Sequence, residues 1–164
     1  MLDPMDVLKM MADGKPLPQE KLPKPSNRTI DALQVAEPEI LNDMFAAMNR
    51  EEDPVDLMMG RLRELSGKHG WFATAGILCM SFATRYQPDQ IPQMNGVTPE
   101  TMSLLKMLPI AAKHSADDEG AWTIPMAILA DLGEEEALGF TACAGLCAGV
   151  GHVQHAMEAR AEGS

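Results

Sequence analysis

Aromatic side chains are scarce in this chain: four Phe, two Trp and one Tyr among 164 residues. Its core must therefore be filled by aliphatic and sulfur-bearing side chains, and 14 methionines are there to do it. Methionine is unbranched, forms helix well and fits irregular gaps, so this composition favours an adaptable helical core. Strand signals are missing as well. No segment alternates β-branched or aromatic with polar residues over the length of a strand, which argues against a sheet. Long apolar runs are also absent. Two apolar segments that contain no Asp, Glu, Lys or Arg, at 69–84 and 137–153, are 16 and 17 residues. Both fall short of the ~20 apolar residues of a bilayer span, so a membrane partner is not expected.

Positive charge is in deficit, with 13 Lys and Arg against 24 Asp and Glu and a net charge of −11. Phosphate contacts need clustered cations, so nucleic-acid binding through a basic patch is excluded. Cysteine is limited to Cys79, Cys143 and Cys147, an odd number. The opening "MLDPMDVLK" lacks the charged and apolar regions of a secretory signal. Free buried thiols in a reducing compartment, the cytoplasm, are the expectation. The familiar catalytic signatures are missing too. There is no phosphate-cradling Gly-rich loop and no HExxH. The "DDEG" segment lacks alternating calcium ligands, and His114-Ser115 lacks a Gly-x-Ser-x-Gly elbow. No cofactor and no metal are expected.

What the chain does contain is helix punctuation. A capping Asp or Thr followed by Pro at the first helical position satisfies an orphan amide and presets φ. The pattern occurs at Asp3-Pro4, Asp53-Pro54 and Thr98-Pro99, with Glu37-Pro38 a weaker version. Helices are predicted at about 4–13, 29–36, 38–50, 54–66, 70–85, 99–113, 124–131 and 134–160. Pro109 is expected to kink or interrupt its helix. Ile40, Met44, Phe45 and Met48 form one stripe, and Leu57, Met58, Leu62 and Leu65 another. The two uncharged segments are rich in Gly, Ala, Ser and Thr, and a helix apolar all round belongs at a centre. Trp71 and Trp122 each stand beside a predicted helix start, suited to anchoring in a core or a partner pocket. The fold class is all-α: a compact helical bundle with two central apolar small-residue helices and an extended N-terminal arm.

Residues 1–28 form a unit of their own, a short helix followed by "GKPLPQEKLPKPSNR". Its spaced prolines dictate an extended arm, either a linker or a partner-binding element. Residues 15–28 carry Lys15, Lys21, Lys24 and Arg28 against Glu20, a net +3. Residues 29–164 carry 8 basic and 20 acidic side chains, a net −12. A basic arm thus precedes an acidic all-α domain. If the arm binds, Leu2, Met5 and Leu8, with Met11 or Ala12, form the apolar face that anchors it.

"CAGLCAGVGHVQH", residues 143–155, is the one concentration of chemical side chains. Cys143, Cys147, His152 and His155 are residue types of a zinc site or a thiol-redox enzyme. On a helix Cys143 and Cys147 lie about 40° apart, but His152 lies about 140° from Cys147. One metal could gather all four only if the helix broke, for which Gly149 and Gly151 offer a place. The cysteine spacing is Cys-x-x-x-Cys rather than Cys-x-x-Cys, and the nearby "GEEEA" carboxylates would raise a thiol pKa. The alternative reading is packing. Ala142, Ala144, Gly145, Ala148 and Gly149 form small-residue rows that let another backbone come close, with Cys79 facing them.

The expected function is a non-enzymatic helical subunit of a larger protein assembly, whose arm reaches a neighbour's acidic body through protein–protein contact or self-association. A virion or other particle component has this layout. A Cys/His redox or metal-dependent enzyme, and an acidic regulatory protein blocking a basic surface, are the alternatives.

Overall fold

The computed structural model describes residues 4–15, 25–92, 96–115, 117 and 119–162, and of 152–162 the helix alone. Among these the chain forms seven α-helices and no strand. They are α1 (Pro4–Ala12), α2 (Asn27–Asn49), α3 (Pro54–His69), α4 (Trp71–Ala83), α5 (Pro99–His114), α6 (Thr123–Leu132) and α7 (Glu134–Glu162). Short 3₁₀ turns at Pro88–Gln90 and Glu119–Trp122 lie between α4 and α5 and between α5 and α6.

The two uncharged segments take the centre. Helix α4 packs against α2, α3, α5, α6 and α7, and α7 packs against α2 to α6. Around them Leu33, Ile40, Met44, Met58, Leu62, Leu78, Phe82, Leu105, Leu108, Ile128, Leu129 and Leu138 are fully buried. Trp71 and Trp122 stand at the starts of their helices and pack half-buried against this core. Each large aliphatic side chain removed from water contributes about 1.5–3 kcal/mol, so the absence of many aromatics is no handicap.

The punctuation works as read at two sites. The Asp53 carboxylate accepts from the Val55 amide at 2.9 Å, and the Thr98 hydroxyl accepts from the Thr101 amide at 3.2 Å. Ser26, which has no proline after it to mark the start, caps α2 by accepting from Thr29 N–H. Two helix pairs need no loop at all. Gly70 alone joins α3 to α4, and Gly133 alone joins α6 to α7, at φ of 88° and 84°. Only glycine enters that region without steric cost, so one residue can reverse the chain there. Helix α3 accordingly runs to His69, past the stop expected near Gly67.

The helix break expected at Pro38 fails, Pro109 does not interrupt its helix, and the break that a metal site would need at the α7 glycines does not occur. Helix α2 is continuous through Pro38, where two helices were expected, and Glu37 is an interior residue rather than a cap. Helix α5 is continuous through Pro109, and α7 is continuous through Gly149 and Gly151. Proline removes one amide and so orphans the carbonyl four residues earlier. For Pro38 that carbonyl belongs to Gln34, an exposed residue where water can replace the bond. For Pro109 it belongs to Leu105, which is fully buried. The Tyr86 hydroxyl, itself buried, donates to the Leu105 carbonyl at 2.7 Å. The only tyrosine in the chain thus replaces the helical bond that Pro109 removes.

Tyr86→Phe should therefore cost about 1–3 kcal/mol, the penalty of a buried acceptor left unpaired. In a Pro109→Ala background the helical amide returns, and the same substitution should cost clearly less. A double-mutant cycle by urea denaturation measures the coupling, and equal costs in both backgrounds would refute the account.

Candidate functional site

The cysteines and glycines of α7 can be placed residue by residue. Cys79 on α4 and Cys147 on α7 are fully buried, and Cys143 is half-buried. The Cys79 sulfur lies 3.3 Å from the Thr141 hydroxyl, which in turn donates to the Ala137 carbonyl at 2.8 Å. Cys79 thus faces α7, as the packing reading expected. Burial pushes the Cys79 and Cys147 thiols up to about 12, and it raises Cys143 as well. For Cys143 the cause is loss of water, not the "GEEEA" carboxylates that the sequence points to. A thiol so shifted stays protonated near neutrality, and the thiolate is the nucleophile and the metal ligand.

The helix does not break at its glycines, so the route by which the four Cys and His residues could converge is closed. No group of three or more His, Cys, Asp or Glu side chains suited to a metal occurs among the described residues. The side chains of His152 and His155 lie outside the described residues, as do Leu2, Lys21 and Lys24 of the arm.

Cys143 does line a cleft of about 770 Å³ between the start of α5 and α7. Its neighbours there are Thr98, Thr101, Glu100, Glu136, Leu132 and Phe140. These offer hydroxyls and carboxylates around a protonated thiol, and the lining includes no histidine or lysine to activate it.

The pH consequence has a definite sign. A buried thiol holds its proton in the folded chain while the unfolded chain releases it near the ordinary value of 9. Stability is therefore intact below about pH 9 and falls as pH rises toward 12, by up to ~1.4 kcal/mol per pH unit for each thiol. Urea midpoints at pH 8 and pH 10 should diverge in the native chain, and the gap should shrink in Cys79→Ala/Cys147→Ala. An unchanged gap would show that other groups carry the alkaline loss.

The small-residue rows do pack tightly, with a correction to what enters them. A Cβ on Gly145 would meet Met58 Sδ at 2.7 Å and Phe82 Cε2 at 3.2 Å. A Cβ on Gly149 would collide with the Met44 methyl. These glycines are sockets for methionines of α2 and α3, not seams for a second backbone. Backbone approach occurs instead at Gly151, where a Cβ would lie 2.5 Å from the Arg85 carbonyl oxygen.

Two apolar surfaces remain outside the core. Helix α1 packs on α6 and on no other described helix, through fully buried Val7 and partly buried Met10. Its adjoining face points outward, with Leu8 45% and Met11 49% exposed, and Met5 exposed beside them. The second surface is a groove of about 350 Å³ between α2, the start of α3 and α7, lined by Met44, Phe45, Met48, Pro54, Leu146 and Val150. Sequence periodicity puts Ile40, Met44, Phe45 and Met48 on one amphipathic stripe. The structure divides the stripe: Ile40 and Met44 are buried, Phe45 is half-buried and Met48 is 52% exposed.

No helix among the described residues is long and apolar enough to cross a membrane. Comparison with family models, curated proteins and solved structures finds no match to this chain.

Proposed function

We propose that the chain is a non-enzymatic helical subunit of a larger protein assembly, in which the N-terminal helix and arm contact a neighbour. The observation that carries this reading is the outward face of α1, with Leu8 and Met11 about half exposed while Val7 is fully buried on the other side. A short surface helix needs one apolar face to dock, and this one has a second. Lys15 and Arg28, exposed at the two ends of the arm, carry positive charge next to a body of net −12. Opposite charge steers such partners together and orients them more than it adds affinity. A component of a virion or a comparable particle fits this design. The protonated, buried thiols speak against the Cys/His enzyme alternative.

Leu8→Glu/Met11→Glu changes the outward face and leaves Val7, the fully buried residue of α1, in place. Sedimentation of the purified chain, alone and with its native complex, should show the assembled fraction lost while the helical circular dichroism and melting temperature stay near wild type. An unchanged sedimentation profile would overturn the reading.

A further inference from the structure

The outward face of α1 and the groove beside α7 are complementary to each other. Among the described residues eight large apolar side chains are notably exposed, and four of them lie on these two surfaces: Met5, Leu8 and Met11 on α1, and Met48 at the groove. On α1 the spacing is i, i+3, i+6, with Ala12 completing the row, the pattern by which an amphipathic helix lies in a groove. The groove floor is Met44 seated over Gly149, a flexible side chain that conforms to what lies on it. Its volume of about 350 Å³ is at the small end of ligand pockets and suits a short row of aliphatic side chains.

Charge selects the partner. Residues 50–56, which run past the groove from α2 into α3, hold Glu51, Glu52, Asp53 and Asp56 against Arg50, a net −3. All five side chains are exposed. The segment that follows α1, residues 15–28, is net +3, and Lys9 stands exposed beside Leu8. Within one chain the two surfaces do not meet, because α1 contacts α6 and no other described helix.

We propose that the groove formed by α2, α3 and α7 receives the outward face of α1 from a second copy of this chain, drawn there by the attraction between the net positive charge of residues 15–28 and the net negative charge of residues 50–56. The proposal rests on the reading of α1 as an assembly helix and names its partner. The two surfaces share no residue, so the contact is heterologous. It repeats head to tail, closing into a ring or extending as a filament, instead of stopping at a two-fold dimer.

Mixing tests this directly. Met48→Glu spoils the groove and leaves α1 intact; Leu8→Glu/Met11→Glu spoils α1 and leaves the groove intact. Met48 and Leu8 are about half exposed, so both variants should fold, which circular dichroism and thermal melting check. By sedimentation velocity, wild type should form concentration-dependent oligomers that weaken with salt. Each variant alone should lose association by about tenfold or more in dissociation constant, the size expected of a central anchor. An equimolar mixture should stop at dimers, because one good α1 meets one good groove. Oligomers of Met48→Glu as large as wild type would overturn the groove while leaving α1 as an assembly helix for another partner. A wild-type chain that is monomeric at every concentration, or a mixture that stays monomeric or regains full oligomers, would also overturn the head-to-tail contact.

Discussion

Replacing Arg85 with Met should destabilise this fold by about 3 kcal/mol, although the side chain stands near the surface. Its partner is the reason. Glu37 is 2% exposed in the middle of α2, and Arg85 grips it with two contacts, Nε to Oε2 at 2.8 Å and Nη2 to Oε1 at 2.7 Å. A carboxylate left in the interior without a counter-charge costs about 3–5 kcal/mol. The lower figure applies here because Arg85 is 36% exposed, and water can follow into the space it leaves. For a domain whose total stability is on the order of 5–15 kcal/mol, that is a large fraction. Urea denaturation should show the lowered midpoint. Glu37→Gln added to Arg85→Met should recover most of the loss, since the charge is what has become costly. If the double variant is as weak as Arg85→Met, the ion pair is not the cause. Glu37→Gln alone should cost about 1 kcal/mol, because a guanidinium near the surface can turn to water.

Gly151→Ala should be the most damaging of the small changes on α7, at about 2 kcal/mol net. The added methyl would stand 2.5 Å from the Arg85 carbonyl oxygen, 3.0 Å from Tyr86 Cβ and 3.1 Å from Tyr86 Cα. None of these is the end of a flexible side chain, so relief requires the chain after α4 to move away from α7. That movement would disturb the Arg85–Glu37 pair and the Tyr86–Leu105 bond together. Alanine gains about 1 kcal/mol of helix propensity over glycine, which offsets part of the overpacking. At Gly145 and Gly149 the nearest obstruction is the tip of Met58 or Met44, which can swing aside, and the Phe82 ring at Gly145, 3.2 Å away, needs to give by only a few tenths of an ångström. There the propensity gain should nearly cancel the crowding. Thermal melts of the three alanine variants should rank Gly151 well below the others. A Gly151→Ala variant as stable as wild type would refute the close approach.

Both predictions meet at the turn that leaves α4. Arg85 reaches back to α2, its carbonyl abuts α7, and Tyr86 completes the hydrogen bonding of α5. Three helices are thus tied to two consecutive residues. In the sequence "TRYQP" looks like the start of a loop, because its partners lie 48, 19 and about 65 positions away. Local pattern carries no record of separations that long.

The all-α class, the centrality of the two uncharged segments and the caps at Asp53 and Thr98 followed from the sequence alone. Each depends on interactions within a few residues or on hydropathy repeating at helical period, and both are written locally. Whether a proline ends its helix was decided by the tertiary structure, because it depends on what satisfies the freed carbonyl: water near Gln34, and Tyr86 at Leu105. The chemistry of "CAGLCAGVGHVQH" was decided the same way. Burial keeps its thiols protonated, and the unbroken helix holds its glycines as sockets for methionines brought from α2 and α3. Residue type sets what a side chain can do; solvent access and the neighbours across the fold set whether it does so here.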